Sequence, residues 1–274
     1  GAAISLQDTT LAVGSSLTKT GGTLTLNQAD LELRSDLTLV SDAPLEFDTF
    51  VPNAKNLELG SNSAAEVSLG NLNLASSNIE VKGGTLNITG GSVGANGELE
   101  IGGAGGLSLG GNLAVTGTLN LNSGASTTLA GNTIDASGGT LEVAGTHSLM
   151  SITTNDQTKL QINNSANISR TDSGTSTVGS LTFSSQTGGS SSPSLSVSNM
   201  GLTVAEATQV SGASLTQNNG ILTFKSAPSL SNSSSLSVNG GELVLQNGGT
   251  VNASSLQLSA SVFKPTGSVS VTNG

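Results

Sequence analysis

Apolar residues along the chain occur in pairs separated by one polar residue, as in Leu24/Leu26, Leu57/Leu59, Ile79/Val81, Leu86/Ile88, Leu99/Ile101 and Leu119/Leu121. Side chains alternate faces along a strand, so each pair marks a very short strand with one apolar and one polar face. The unit is spelled out in full at residues 16–27, SLTKTGGTLTLN, where Gly21 and Gly22 supply the positive φ that a sharp corner demands. It returns as GGTLNI at 83–88, GGTLEV at 138–143 and GGELVL at 240–245.

Pair midpoints advance by roughly six to seven residues, too closely for hairpin-linked sandwiches or barrels, whose strands recur at about 8–12 residues. No stretch carries a helical apolar period with start and stop signals, which excludes a βαβ arrangement. A chain that makes a short strand, turns a corner in one direction and repeats does fit. Three such steps sum to roughly 20 residues, and closing the coil lays each strand about 4.8 Å from its counterpart in a parallel ladder. The pattern therefore predicts an all-β, right-handed parallel β-helix, a β-solenoid of about 20 residues per coil and roughly 13 coils, its hand taken from the usual strand crossover. The core repeat is expected at Leu24, Leu26, Leu86, Ile88, Leu119, Leu121, Leu141, Val143, Leu243 and Leu245. Stacked asparagines such as Asn239 and Asn247 are expected to pair along the axis.

One domain over residues 1–274 is expected, with irregular coils or loops near 41–56, 144–178 and 184–194. The first of these gathers Pro44, Phe47, Phe50 and Pro52, and reads as a loop over the coils or a distorted coil. In the second the pairs thin out and leave Leu160/Ile162 as the clear one, and the third is rich in Gly, Ser and Pro.

Composition narrows the picture further. Five Phe, no Tyr and no Trp favour a thin core filled by stacked Leu, Val and Ile over a wide one. Charged residues are only 9%, yet the apolar spacing is regular, which argues against disorder. The 18 acidic against 8 basic residues give a net charge of −10 and argue against nucleic acid, whose phosphates need Lys and Arg. With no Cys there is neither a disulfide framework nor a thiolate metal site, and no run of apolar residues is long enough for a transmembrane helix.

Leu17-Thr18-Lys19-Thr20-Gly21-Gly22-Thr23-Leu24-Thr25-Leu26 resembles the β-strand repeat of bacterial autotransporter passenger domains, in which a Leu-x-Lys-x-Gly segment leads into Gly-Thr-Leu-x-Leu. Residues 132–143, NTIDASGGTLEV, are similar to the repeats of filamentous haemagglutinin-like adhesins. The resemblance implies a secreted, surface-displayed parallel β-helix and carries over no catalytic residue.

His147 is the only histidine, so a His-based catalytic pair or multi-histidine metal site cannot be assembled in one chain, and a surface or corner place is expected for it. Acidic groups at Asp30, Glu32 and Asp36, at Glu46 and Asp48, and at Glu98 and Glu100 are candidates for the carboxylate chemistry of β-helix polysaccharide enzymes. Residues i and i+2 share a strand face, but equivalent positions elsewhere hold Thr, Asn and Ser, which favours solvated acids. GGAGG at 102–106 lacks the Asp of calcium-binding β-roll repeats, and the chain offers no aromatic platform for sugar rings. These readings together point to no catalytic, metal or cofactor residue. The expected function is a bacterial, extracellular or cell-surface structural and adhesive module whose partner is a receptor, a glycan or another cell. The alternatives are a self-assembling filament or sheath subunit and a polysaccharide-degrading enzyme. Ile4/Leu6 opens the pattern and Val269/Val271 carries it almost to Gly274, which suggests either an excerpt from a longer protein or end-to-end contact through these four residues.

Overall fold

The computed structural model describes every residue except 1, 2, 62, 185–191, 207, 227, 232, 233, 248, 252–254, 267, 268 and 272–274. The described residues form strands and turns without a helix, and the strands stack in parallel as a β-solenoid of about 12 turns, about 20 residues apart. The chain divides into two units, Gly1–Asp135 and Ala136–Gly274.

In the first unit one face is built by Ser16–Lys19, Leu37–Ser41, Leu57–Leu59, Asn78–Val81, Glu98–Ile101 and Thr118–Leu121, each paired in parallel with the next. The register places like on like: Leu37, Leu57, Ile79, Leu99 and Leu119 form one inward column, and Leu39, Leu59, Val81, Ile101 and Leu121 the next. All of these side chains are buried. Removing each from water is worth about 1.5–3 kcal/mol, so the columns are the main favourable term of the unit. The ladder continues past the strand ends, where Gly60 N donates to Leu39 O, Lys82 N to Leu59 O, Gly102 N to Val81 O and Asn122 N to Ile101 O, all at 2.9 Å. Corner backbone is thereby satisfied by the neighbouring coil.

Part of the remaining circumference of this unit is covered by longer strands that bend across a corner. Leu45–Val51, Glu66–Leu74 and Thr85–Val93 align Leu45, Val67 and Leu86, then Phe47, Leu69 and Ile88, on one side of the bend. Past it, Leu72 and Leu74 align with Gly91 and Val93. The bend brings backbones too close for a side chain. A Cβ on Gly70 would lie 1.8 Å from Asp48 O, and one on Gly91, whose φ is 131°, would lie 2.0 Å from Leu72 O.

The second unit repeats the plan with a seam. Thr140–Ser148 pairs with Lys159–Ser169 through a register shift between Val143 and Gly145. The first half of Lys159–Ser169 then pairs with Ser180–Ser184 and the second half with Ser194–Ser198, so one strand feeds two rows. Beyond it, Ser194–Ser198, Ser214–Asn218, Ser235–Asn239 and Ser255–Ser259 form one face, while Thr175–Val178, Gly201–Val204, Ile221–Phe224, Glu242–Leu245 and Val262–Pro265 form another. Leu195, Leu215 and Leu236 stack inside the first, and Leu202, Leu222 and Leu243 inside the second.

The expected β-solenoid of about 20 residues per coil is what the chain forms, in about 12 turns, and one coil is longer: the hydroxyls of Ser165 and Ser194, on adjacent rungs, lie 29 residues apart. Several other expectations need correction. Of the two readings of 41–56, a loop over the coils or a distorted coil, the loop does not fit, since Leu45–Val51 is a continuous strand with Phe47 and Phe50 buried in register with Leu69 and Leu31. In 144–178 the strands persist, but inward rungs are filled by His147, Ala166 and Ser176, which hides the apolar pairs. Within 184–194, residues 185–191 and the side chain of residue 184 lie outside the described residues. Leu24 and Leu26, the prototype of the repeat, are only half-buried, whereas Leu86, Ile88, Leu119, Leu121, Leu141, Val143, Leu243 and Leu245 are fully buried. Asn239 Nδ2 does donate to Asn218 Oδ1 at 3.1 Å, while Asn247 bonds the Lys225 carbonyl.

Leu86→Asp inserts an unpaired carboxylate into a column with no room for water and should prevent folding, a cost of several kcal/mol read as loss of the β-type circular dichroism signal. The milder Ile88→Ala should lower unfolding stability by about 2–5 kcal/mol in a denaturant titration. Acid should also act through Asp42, whose carboxylate accepts from Gly21 N at 2.6 Å and Lys19 Nζ at 2.7 Å. The Gly21 amide first, and Lys19 after it, hold this carboxyl below its usual value of 3.8. A depressed carboxyl stabilises fully above its unfolded pKa and loses that contribution as pH falls through its folded pKa. The thermal midpoint should therefore fall below about pH 4, and less steeply in Asp42→Asn.

Candidate functional site

The outward positions of the first unit's long face carry the clearest accumulation of chemistry. The residue between each inward pair is Thr38, Glu58, Glu80, Glu100 and Asn120 on successive rungs, in direct register. Three carboxylates thus stand in one row about 4.8 Å apart along the stack. Two unit charges at that distance repel by about 1 kcal/mol in water. The row is held by neighbours from the following corners. Lys82 Nζ lies 2.8 Å from Glu58 Oε2 and 3.1 Å from Glu80 Oε2, and Asn122 Nδ2 donates to Glu100 Oε1 at 2.6 Å.

Beside this row runs a second one at the corner. Asn56 N donates to Asp36 Oδ1 at 2.8 Å and Asn78 N to Asn56 Oδ1 at 3.1 Å, so each corner side chain caps the backbone of the next coil. Asn78 is in turn in register with Glu98. Between the two rows lies a shallow open depression of about 280 Å³ lined by Asp36, Asn56, Glu58, Asn78, Glu80 and Glu98. Hydrogen bonds to Glu58, then to Glu80, raise the Lys82 ammonium above its ordinary value of 10.5.

The sequence grouped the acids by neighbourhood along the chain, and the fold regroups them by rung. Glu98 and Glu100 do share the face, as expected from their i, i+2 spacing. Asp36 joins them from the corner, while Asp30 and Glu32 sit on a different strand, Asp30–Leu33, where Arg34 reaches Glu32 at 4.0 Å. Glu46 and Asp48 lie apart on Leu45–Val51, with Glu46 in register with Ser68. Glu58 and Glu80 were missed, although Leu-Glu-Leu, Ile-Glu-Val and Leu-Glu-Ile at 57–59, 79–81 and 99–101 spell the row at the coil period.

His147 is not at a surface corner. It points inward at 6% exposure, in register with Ile168, and its Nε2 lies 2.9 Å from Ala144 O. Ile4 is 56% exposed and Leu6 half-buried; with Leu11, Leu17 and Leu24 they line an open apolar depression of about 740 Å³. Val269–Val271 is a strand paired with Gly249–Val251, and its side chains lie outside the described residues. Among the described residues no group of three or more His, Asp or Glu is arranged to hold a metal ion.

Rows of outward side chains on parallel coils define the class: this is a β-solenoid repeat protein. Comparison with protein-family models, curated proteins and solved structures gave no match to the chain.

Lys82→Ala should lower the thermal midpoint at low ionic strength by leaving adjacent glutamates without a counter-charge. The loss should shrink toward about 1 M salt, where the Debye length is about 3 Å. In the unsubstituted chain, because the folded Lys82 pKa is raised, its contribution is complete below 10.5 and lost as pH rises through the folded value.

Proposed function

We propose that the chain is a secreted or cell-surface structural and adhesive β-solenoid module, mediating attachment or contact between cells. The observation that carries this reading is the repetition of like outward side chains over three or four successive rungs. In the first unit the row is Glu58, Glu80 and Glu100. In the second, Ser194, Ser214, Ser235 and Ser255 form one row, and Ser196, Thr216 and Ser237 another. Ser235 Oγ donates to Ser214 Oγ and Ser194 Oγ to Ser165 Oγ, both at 2.9 Å, so the hydroxyls are ordered along the stack.

Contacts to single exposed hydroxyls or carboxylates are weak, but a row of them at constant spacing engages an extended partner many times over, and the linked contacts multiply in strength. A solenoid lengthens such a row by one member with each further coil. The likeness of residues 17–26 and 132–143 to surface-displayed bacterial repeats supports an extracellular, bacterial setting. The partner in this reading is a receptor, a glycan or another cell.

Beads coated with the purified chain, passed over immobilised glycans and cell layers under flow, should be retained. Changing Glu58, Glu80 and Glu100 together to Gln, or Ser196, Thr216 and Ser237 together to Ala, should weaken retention on at least one surface more than any single change does. Release of new reducing ends from an acidic polysaccharide, abolished by Glu98→Gln with Glu100→Gln, would replace this reading with an enzymatic one. Absence of retention on every surface would also sink it.

A further inference from the structure

Sulfur chemistry in this chain rests on two methionines, because there is no Cys, and the fold treats the two in opposite ways. Met150 is 49% exposed and Met200 is 1% exposed. Tyr and Trp, which oxidants also attack, are absent from the sequence, and the one histidine is buried. Attack by an oxidant arriving from solvent follows exposure, so Met150 is the reactive side chain and Met200 the protected one.

Met150 sits at the tip of a tight turn. Residues 149–152 form it, closed by Ile152 N donating to Leu149 O at 3.1 Å. Leu149 and Ile152 are buried, so the turn is anchored in the core on both sides while Met150 stays outside. Leu149 N donates to Ser169 O at 2.9 Å and Arg170 Nη1 to Leu149 O at 3.0 Å, which ties the turn to the following coil.

That coil also brings one group onto the sulfur. Thr171 Oγ1 donates to Met150 Sδ at 2.9 Å, across 21 positions of sequence, and the contact lies at the exposed surface. Its neighbours hold Thr171 in place. Arg170 Nε and Nη2 grip Asp172 Oδ1 and Oδ2 at 2.8 and 2.7 Å, and Gly174 N donates to Asp172 Oδ1 at 3.0 Å. The Arg170 guanidinium, and after it the Gly174 amide, holds the Asp172 carboxyl well below the usual carboxylate range, so this clamp around Thr171 is intact at neutral pH. A thioether sulfur is a weak acceptor with two lone pairs, one on each side of its C–S–C plane. Thr171 occupies one and leaves the other to a reagent. Oxygen added on one side or the other gives opposite epimers of the sulfoxide.

We propose that Met150 is a site of reversible, stereoselective oxidation, taking one oxygen atom from a peroxide at the sulfur lone pair that Thr171 leaves open. In that step the sulfur pair attacks the nearer peroxide oxygen, and the S–O bond forms as the O–O bond breaks. The far oxygen takes up the proton of the transferred one and leaves as water. The thioether is oxidised by two electrons and the peroxide reduced by two. The new oxygen stands outside the anchored turn, so the core is untouched, whereas the same polar group on Met200 would be buried. The site does not depend on the outward rows, and their adhesive reading stands or falls without it.

The test treats the full chain with hydrogen peroxide over a time course and reads the sulfoxide content of the peptides carrying Met150 and Met200 by mass spectrometry. In the folded chain Met150 should oxidise at least about tenfold faster than Met200, and the two rates should converge in denaturant. The chain oxidised at Met150 alone should keep its thermal midpoint within about 2 °C of the parent, as a surface change does. The two methionine sulfoxide reductases, each specific for one epimer, then read the stereochemistry. One should restore at least about four-fifths of Met150 and the other no more than about a fifth. In Thr171→Ala, which clears that side of the sulfur, the two should restore comparable shares. The proposal is overturned by any of four results: Met150 oxidising no faster than Met200 in the folded chain, a Met150 sulfoxide that lowers the midpoint further, equal restoration by the two reductases in the parent, or an epimer excess undiminished in Thr171→Ala.

Discussion

Everything in this molecule depends on the parallel backbone ladder between successive coils. Strands flanked on both sides commit their N–H and C=O groups to the coils before and after, and the corner amides of Gly60, Lys82, Gly102 and Asn122 extend the same bonding beyond the strands. Because the ladder is parallel and in register, a side chain always meets its counterpart one coil away. Leucine then stacks on leucine, and the interior fills at high density without aromatic bulk. The same constraint acts on the outside, where it puts glutamate over glutamate and serine over serine. Columns inside and rows outside have one cause.

That constraint also explains where the structure tolerates exceptions. Gln217 stands in the column between Val197 and Val238 with no exposure, and its Nε2 donates to Met200 O at 2.9 Å. His147 stands in register with Ile168 and finds Ala144 O. Each replaces an apolar rung, and each turns part of its polarity onto a nearby carbonyl, which limits the cost of burial. Ser176 does not: its buried hydroxyl remains unmatched.

The acidic row makes the same point at the surface. Stacked like charges oppose one another, and this chain keeps them by drawing Lys82, two residues past Glu80, and Asn122, from the coil after Glu100, onto the carboxylates. The corner asparagines work in the opposite sense, using side-chain oxygens of Asp36 and Asn56 to cap backbone amides of the following coil. A surface built this way repeats its chemistry along the stack, which is the physical basis for reading the chain as a module that makes many weak contacts.

The sequence by itself determined the all-β class, the repeat of about 20 residues and most of the core, because strand alternation and coil period are local spacings that Leu86/Ile88 or Leu243/Leu245 display directly. It could not determine rung partners. Glu58, Glu80 and Glu100 lie 20 or more positions apart, and only the register between coils makes them neighbours. Leu24 and Leu26 spell the repeat as clearly as any pair, yet they are half-buried, since burial is decided by what stacks against a rung and not by its spelling. Phe47 and Phe50 looked like the packing of a loop because Pro44 and Pro52 flank them, and the parallel ladder made them core. The inward place of Ser176 was invisible for a related reason: a serine in a serine-rich chain carries no signal until its neighbours across the coil show that it stands in register with a leucine.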